Sequence, residues 1–223
     1  MTRVGLLGGT FDPIHNGHLQ LAEAAVRTCG MDQILFIPAG HPPHKSEAVV
    51  CDIAHRLQML KLGIEGIKYF GISEIESRRQ TPSFTIDTIR RLHERSGPDI
   101  ENYFIIGFDA MLEIETWYRW QELLGSTDFI VAIRPGFSLE QIENLLARNG
   151  FYRDPQRGDC WVHGMRDNLI RFLMDPIVDV SSTEIRQRMK DNRRWHHLVP
   201  EPVSSYIEEH NLYGSGKNSS PTA

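Results

Sequence analysis

The sequence predicts an α/β protein built on a single doubly wound parallel sheet with helices on both faces. Six short apolar runs, rich in β-branched and aromatic residues, recur along the chain as buried parallel strands do. Amphipathic helical patterns fill the gaps between them. Strands that alternate with helices form βαβ units, and their right-handed crossovers place helices on both faces of the sheet.

The predicted elements follow from these patterns in chain order. The apolar runs predict strands at residues 4–8, 34–38, 68–73, 103–107, 129–133 and 177–180. Apolar residues at spacings of three and four predict three helices, carried by Leu19, Ala22 and Val26, by Ile86, Ile89 and Leu92, and by Leu139, Ile142, Leu145 and Leu146. Ligands of such a Rossmann-like sheet bind beyond the carboxyl ends of the strands, so function is expected in loops 9–18, 39–50, 74–83, 107–118 and 134–137.

Length and composition favour one domain. A chain of 223 residues with 40% hydrophobic and 24% charged residues is neither disordered nor fibrous. We expect the domain to span residues 1–213 and the polar tail, 214–223, to be disordered. Residues 150–168 contain three glycines, one proline and several charges without periodicity, so they are expected to form a surface excursion.

Charge and cysteine usage limit the partners and the compartment. The 24 basic and 29 acidic residues give a net charge of −5, which repels a polyanion and argues against nucleic acid as a partner. The sequence has neither an 18-residue apolar run nor a signal-peptide core, so no membrane association is expected. Cys29, Cys51 and Cys160 are odd in number and unpaired in pattern, which predicts a reducing, cytoplasmic location. Cys160 and His163 alone are too few ligands for structural zinc, and no metal ligand is assigned.

The most informative segment reads GGTFDPIHNGH at residues 8–18, between the first strand and the first helix. Gly8 and Gly9 let the backbone approach a ligand, and free amides at a helix start favour an anion, so phosphate is expected. Neither a Walker A sequence nor a Gly-x-Gly-x-x-Gly fingerprint is present. His15 and His18 can both donate hydrogen bonds to phosphoryl oxygens, although their spacing alone also fits a glycine turn with capping histidines.

A second candidate anion site reads VSSTEIR at residues 180–186. Ser181 and the glutamate three residues later form a capping-box pattern for a helix start. Helical side chains lean toward the N-terminus, so Arg186 can reach back over the amides of Ser182 and Thr183 and add a positive charge. A capped surface helix is the alternative for this segment taken alone.

Together the two segments resemble the HxGH and ISSTxIR motifs of the nucleotidyltransferase superfamily, with only the leading Ile of the second replaced, by Val180. The resemblance implies that a substrate phosphate attacks the α-phosphorus of a nucleoside triphosphate and that pyrophosphate leaves, with Mg²⁺ sharing the charge of the pyrophosphate. It implies catalytic roles for His15, His18 and Arg186. ATP would be bound by Gly8, Gly9, Thr10, Phe11, Gly107, Asp109, Ser182 and Thr183.

The segments between the motifs resemble the bacterial nicotinate-mononucleotide adenylyltransferases, at residues 38–45, 74–88, 107–123 and 134–136. The resemblance implies that ATP and nicotinate mononucleotide are the substrates and deamido-NAD the product. Lys45 and Arg134 can contact a monophosphate, and Asp109 can accept bonds from ribose hydroxyls. Trp117 can stack on the pyridine ring, and the resemblance implies that the Thr85 hydroxyl and the Tyr118 amide bind the ring carboxylate.

Several of these residues also fit other roles. Lys45 also fits a solvated loop cation, Asp109 a helix cap and Trp117 a core aromatic, while Trp120 is assigned to the core. Phe108 stands where the family has a small residue, and crowding there would alter adenosine placement. Alternative functions are an adenylyltransferase for nicotinamide mononucleotide or another phosphorylated acceptor, and a nucleotide sensor without turnover. The sequence leaves the oligomeric state open, a homo-oligomer included.

Overall fold

The structure is a computed structural model. It describes residues 1–41, 50–77, 79, 83–133, 140–175 and 177–217, and for residues 215–217 the backbone alone. Lys45 and Arg134, two of the predicted substrate-binding residues, lie outside the described residues.

The strands form one sheet in the order β3-β2-β1-β4-β5-β8-β7-β6. Their bounds are β1 Thr2–Gly9, β2 Gln33–Pro38, β3 Phe70–Ile72, β4 Ile100–Gly107, β5 Asp128–Ala132, β6 Phe151–Arg153, β7 Cys160–His163 and β8 Leu169–Leu173. Strands β1 to β5 and β8 are parallel, whereas β6 and β7 are antiparallel additions at one edge. The chain winds outward from β1 to β3 and returns at β4, so the topological switch point lies between β1 and β4, where such sheets bind ligands.

Helices cover both faces of the sheet, which confirms the doubly wound α/β prediction. Their bounds are α1 Asn16–Cys29, α2 Ile53–Ile64, α3 Thr85–Arg95, α4 Phe108–Leu112, α5 Trp120–Leu124, α6 Glu140–Arg148, α7 Ser182–Lys190 and α8 Glu201–Glu209. One hydrophobic core joins α1, α2, α7 and α8 to the sheet, and a second core joins α3 to α6 to the opposite face. Neighbouring side chains along a strand enter opposite cores: Leu6 lies in the second and Leu7 in the first. Burial on both faces is why the strands are continuously apolar.

The predicted surface excursion at residues 150–168 is wrong in part, because it contains the hairpin of β6 and β7. Phe151, Cys160 and Trp161 are buried, while Tyr152 is 54% exposed. The burial along these strands follows no regular alternation, since Cys160 and Trp161 are buried neighbours in β7. Strands of three and four residues without alternation do not stand out from the turn residues around them.

The predicted strand at residues 177–180 is also wrong. The strand that pairs with β5 is β8, eight residues earlier in the chain, whose Ile170 and Phe172 are buried on the face that carries the second core. Residues 177–180 run as irregular chain into α7, and the Val178 amide donates to the Gln20 side chain at 2.9 Å. Both segments are short and apolar, so periodicity alone does not separate them.

The C-terminal residues fold back on the domain. A 3₁₀ segment, Leu212–Lys217, packs against α7 and α8, and Tyr213 within it adopts a left-handed backbone with φ 58°. The first four residues of the predicted tail belong to this segment, and residues 218–223 lie outside the described part of the chain. No helix of the described residues is long and apolar enough to cross a membrane.

Candidate active site

The predicted phosphate loop lies at the switch point, between the end of β1 and the start of α1. His15 is the N-cap of α1, with an extended backbone, and its side chain accepts a hydrogen bond from the His18 amide. The first turn of α1 contains no acidic residue. The positive end of a 14-residue helix therefore faces the loop without a carboxylate to offset it, an arrangement that favours an anion.

The two histidines form a stacked pair. Their ring centroids are 3.6 Å apart with the planes 21° from parallel. Nδ1 of His15 accepts from the backbone N–H of His18 at 3.4 Å, which leaves Nε2 of a neutral His15 ring as its donor. His15 is 4% exposed and His18 is half-buried, so both rings are packed within the loop.

Phe11, predicted to bind ATP, supports the loop through its side chain. It is 1% exposed, and its ring lies edge-on to His18 at 4.9 Å and to Phe36 at 5.7 Å. Its backbone is left-handed, with φ 49°. A Cβ at Gly9 would lie 3.0 Å from this ring, so any larger residue there would require the Phe11 ring to shift. Any contact of Phe11 with a ligand would therefore come from its backbone.

The second motif meets the first loop although 174 positions separate the contacting residues. Nη1 of Arg186 donates to the carbonyl of Asp12 at 2.6 Å, and Nη2 donates to the Thr183 hydroxyl at 3.3 Å. The Ser182 hydroxyl donates to the Pro13 carbonyl at 2.9 Å. A Cβ at Gly17 would lie 3.0 Å from the carbonyl oxygen of residue 178, so this glycine permits the close approach of the two segments.

The helix start at α7 is capped as expected. The Ser181 hydroxyl accepts from the Glu184 amide at 3.1 Å. The Glu184 carboxylate pairs with Arg188 one turn later, at 2.7 Å. Arg186 leans toward the N-terminus of α7, as predicted, and thereby places a guanidinium beside both helix starts.

The Asp12 carboxylate is buried behind this loop, where it faces groups from three other segments of the chain. It is 1% exposed, its Oδ1 accepts from the Tyr213 hydroxyl at 2.6 Å, and its Oδ2 accepts from the Cys51 amide at 3.4 Å. Oδ2 also lies 3.6 Å from Nη1 of Arg186. Burial, followed by the charge of Asp12, raises the pKa of Tyr213 above its ordinary value, so the hydroxyl keeps its proton and remains a donor.

Arg56 of α2 ties the loops after β1 and β2 together. It is 2% exposed, and its guanidinium donates to the carbonyls of Thr10 and Ala39 at 2.8 Å each and of Cys51 at 2.9 Å. Burial lowers its pKa, although an arginine remains charged in a protein. The buried Arg56 guanidinium thus holds the backbone of the loop after β1 close to the backbone of the loop after β2.

Gly107 and Asp109 lie at the end of β4, the strand next to β1. Gly107 caps α4, and Asp109 is exposed in the first turn of that helix. A Cβ at Gly107 would lie 2.8 Å from Oδ1 of Asp109. Phe108 is wholly buried in the second core, so its side chain adds no bulk at this rim. The expected crowding of adenosine by Phe108 therefore has no structural basis.

The residues predicted to bind the pyridine ring cluster beside α3. Thr85 begins α3, and the ring of the preceding Phe84 lies 4.4 Å from that of Tyr118, which is 52% exposed. Trp117 and Trp120 are both partly buried against the second core. Trp117 also lies edge-on to Phe104 at 6.3 Å. The cluster thus brings a hydroxyl and an exposed aromatic surface to one place.

Comparison with known proteins shows the family of the chain. A sequence model of the cytidylyltransferase-like family matches residues 6–188. A protein of Symbiobacterium thermophilum named "Probable nicotinate-nucleotide adenylyltransferase" is 40% identical over 218 residues, which is 98% of each chain. A protein of the same name from Moorella thermoacetica is 40% identical over 211 residues, covering 95% of this chain and 91% of its own. The chain belongs to the nicotinate-nucleotide adenylyltransferase family.

Solved structures share the fold of this adenylyltransferase family member. The nicotinic acid mononucleotide adenylyltransferase of Plasmodium falciparum, complexed with NaAD, superposes with a TM-score of 0.72 at 18% identity, covering 98% of this chain and all of that one. A protein of Vibrio parahaemolyticus titled a putative nicotinate-nucleotide adenylyltransferase superposes with a TM-score of 0.62 at 16% identity, covering 96% of each chain.

Sequence reasoning missed three residues that shape this adenylyltransferase site: Asp12, Arg56 and Tyr213. Arg56 could have been found from the sequence. It lies on the same stripe of its helix as Met59, Leu60 and Gly63, which are buried, and a buried cation needs hydrogen-bond partners. No local pattern predicts the contact between Asp12 and Tyr213, because the two residues are 201 positions apart in the chain. The structure brings the predicted His15, His18, Ser182, Thr183 and Arg186 together, and it leaves Lys45 and Arg134 undescribed.

The donor set of the site fits a cation that arrives with its nucleotide. Within the described ranges, no group of three or more His, Cys, Asp or Glu side chains could hold a metal ion. The one carboxylate behind the phosphate loop, Asp12, accepts from Tyr213 and from the Cys51 amide. Mg²⁺ commonly keeps several waters and binds through substrate phosphates, so it does not require a cage of protein ligands.

Proposed function

We propose that this protein transfers the adenylyl group of ATP to nicotinate mononucleotide, giving nicotinate adenine dinucleotide and pyrophosphate, a step in NAD synthesis. The observation that carries the proposal is the junction of the two phosphate-binding motifs at the switch point of the sheet, through Arg186 and Asp12. Relatives named for this activity match the chain over nearly its whole length.

The chemistry needs no nucleophile from the protein. A phosphate oxygen of nicotinate mononucleotide attacks the α-phosphorus of ATP, the new P–O bond forms, and the bond to the β-phosphate oxygen breaks with its electron pair leaving on pyrophosphate. Catalysis of this kind rests on alignment and on stabilising the charge that spreads over the phosphoryl oxygens. His15, His18 and Arg186 are suited to that role, since the stacked histidines lie at the start of α1 and Arg186 leans over the start of α7.

The nucleotide would lie across the ends of β1 and β4. Backbone amides of Gly8, Gly9 and Thr10 and the starts of α1 and α7 would hold the triphosphate. Asp109 is exposed at the rim and would accept bonds from ribose hydroxyls. Magnesium bound to the triphosphate would supply neutralising charge for the leaving pyrophosphate.

The acceptor would lie toward α3. Its pyridine ring would stack on Trp117, and its carboxylate would accept from the Thr85 hydroxyl and the Tyr118 amide, which the contact between Phe84 and Tyr118 supports. Lys45 and Arg134 would contact the monophosphate.

The test is pyrophosphate release from ATP and Mg²⁺ with nicotinate mononucleotide, run beside nicotinamide mononucleotide and phosphopantetheine. We expect release that is fastest with the nicotinate substrate. Release only with another acceptor would retain the phosphate chemistry and overturn the roles of Thr85, Trp117 and Tyr118. Binding of ATP without release in any mixture would favour a nucleotide sensor instead.

A further inference from the structure

The C-terminal segment enters the phosphate loop from behind. The Tyr213 hydroxyl donates to Oδ1 of Asp12 at 2.6 Å, across 201 positions. Tyr213 is partly buried against the first core, in a segment that packs on both α7 and α8. Its left-handed backbone, with φ 58°, is unfavourable for a bulky residue and persists where surrounding contacts over-determine it. The hydroxyl is therefore held in place.

The contact occupies one of the two oxygens of the Asp12 carboxylate. The carboxylate has two oxygens: Oδ1 accepts from Tyr213, while Oδ2 accepts from the Cys51 amide at 3.4 Å and faces Nη1 of Arg186 at 3.6 Å. The short bond from Nη1 goes to the backbone carbonyl of Asp12, at 2.6 Å. The carboxylate thus orients Arg186 without binding it in a close bidentate pair.

We propose that Tyr213 is a positioning residue, which acts through Asp12 to keep the guanidinium of Arg186 available to the triphosphate. This inference rests on the function proposed above. Without the hydroxyl, Oδ1 of a buried carboxylate loses its donor, and the guanidinium of Arg186 lies 3.6 Å from the other oxygen of the same carboxylate. The carboxylate then draws the guanidinium into a closer pair and competes with the phosphate oxygens for it.

The test is Tyr213→Phe, with Tyr152→Phe as the matched control, because Tyr152 lies exposed on the edge strand β6. We expect Tyr213→Phe to lower kcat about tenfold, the scale of one hydrogen bond to a charged group. The affinity for a non-hydrolysable ATP analogue, measured by calorimetry, should fall severalfold. KM for nicotinate mononucleotide should stay within about twofold of the unchanged protein, because the proposed contacts of its phosphate are Lys45 and Arg134 rather than Arg186.

A double-mutant cycle with Asp12→Asn separates positioning from mere support of the fold. In the Asp12→Asn background, Tyr213→Phe should change neither kcat nor analogue affinity by more than about twofold, since the path through the carboxylate is gone. Equal losses in both backgrounds, or a lower Tm with unchanged kcat and analogue affinity, would overturn the inference.

The outcomes also separate this inference from the proposed function. If the unchanged protein releases pyrophosphate and Tyr213→Phe behaves like Tyr152→Phe, only the inference fails. If the unchanged protein shows no release while Tyr213→Phe weakens analogue binding and Asp12→Asn abolishes that difference, the positioning role stands and the proposed reaction fails.

Discussion

Within the phosphate loop, charge is arranged around one buried carboxylate. Asp12 is 1% exposed and accepts from Tyr213 and from the Cys51 amide, with Arg186 beside it. A buried carboxylate is costly unless it is paired and hydrogen-bonded, and these partners meet that requirement. The two histidines are positioned at the start of α1 instead, where the His15 side chain accepts from the His18 amide.

His18→Ala is expected to fold and to lower kcat by about 10² to 10³, the usual loss when one donor to a developing charge is removed. Binding of ATP should weaken much less, since the lost interactions matter chiefly in the transition state. Steady-state kinetics and circular dichroism measure the two effects. His197→Ala, at an exposed position, is the matched control. Normal kcat in His18→Ala would remove this residue from the catalytic set.

The carboxyl group of Glu76 is expected to make the free energy of unfolding decrease as pH rises. It is 8% exposed, and burial raises the pKa of its carboxyl above the ordinary 4.5 despite the 2.6 Å bond that Oε1 accepts from Thr88. A raised folded pKa favours the neutral form, so this contribution to stability is fully present below about pH 4.5 and is lost as pH rises through the folded pKa.

The Glu76→Gln variant tests this sign. The free energy of unfolding of the variant minus that of the unchanged protein should be larger at pH 8 than at pH 4, because glutamine cannot ionise. Urea unfolding at the two pH values measures the difference. Glu94→Gln, an exposed position on the same α3 that carries Thr88, should show no such trend. A gain that is equal at both pH values would contradict the assignment.

Between elements, the loops at the carboxyl edge are held by side chains that cross from neighbouring segments. Arg56 of α2 spans the loops after β1 and β2, and a Cβ at Gly40 in the second loop would lie 2.3 Å from the carbonyl oxygen of Glu76. The loops after β1, β2 and β3 therefore pack backbone to backbone at one end of the sheet.

Arg56→Met should lower the free energy of unfolding by roughly 3 kcal/mol or more, because three carbonyls lose a buried donor at about 1 to 3 kcal/mol each. Transfer activity should fall as well, since Thr10 is one of the three. Lys61→Met, at an exposed position of the same α2, should stay within about 0.5 kcal/mol. Urea unfolding compares them, and a loss in Arg56→Met no larger than the control's would refute the role of Arg56 as a tie between loops.

Across the whole molecule, the two ends of the chain build one site. The phosphate loop comes from the first 18 residues, whereas α7 and Tyr213 come from the last 42. A ligand that bridges these segments binds only the folded chain, so binding should be visible as an increase in Tm.

A non-hydrolysable ATP analogue at about 100 times its Kd should add roughly 2.7 kcal/mol of stability, which raises Tm by roughly 5 to 11 °C for a chain of this size. His18→Ala should retain most of that shift, and adenosine, which lacks phosphates, should produce little. Differential scanning calorimetry measures all three. An equal shift with adenosine would show that the triphosphate is not held by the two helix starts.

The sequence by itself determined the α/β class and five of the six parallel strands, and it marked the two helix starts that meet at the switch point. These properties are local: burial on both faces makes a strand continuously apolar, and a helix start needs its cap within three residues. The roles of His15, Ser182 and Arg186 in binding and catalysis stay predictions. The strand at residues 169–173 and the hairpin before it were missed, because runs of three to five residues are too short for periodicity to identify them.

Only the tertiary structure decided which distant groups meet. Tyr213 reaches Asp12 across 201 positions, and Arg56 reaches Thr10 across 46. The burial of Phe108, which removed an expected obstruction at the rim, was likewise settled by packing. A buried polar group must find a partner wherever the fold brings one, and the choice of partner depends on how the helices pack on the sheet, which no local pattern encodes.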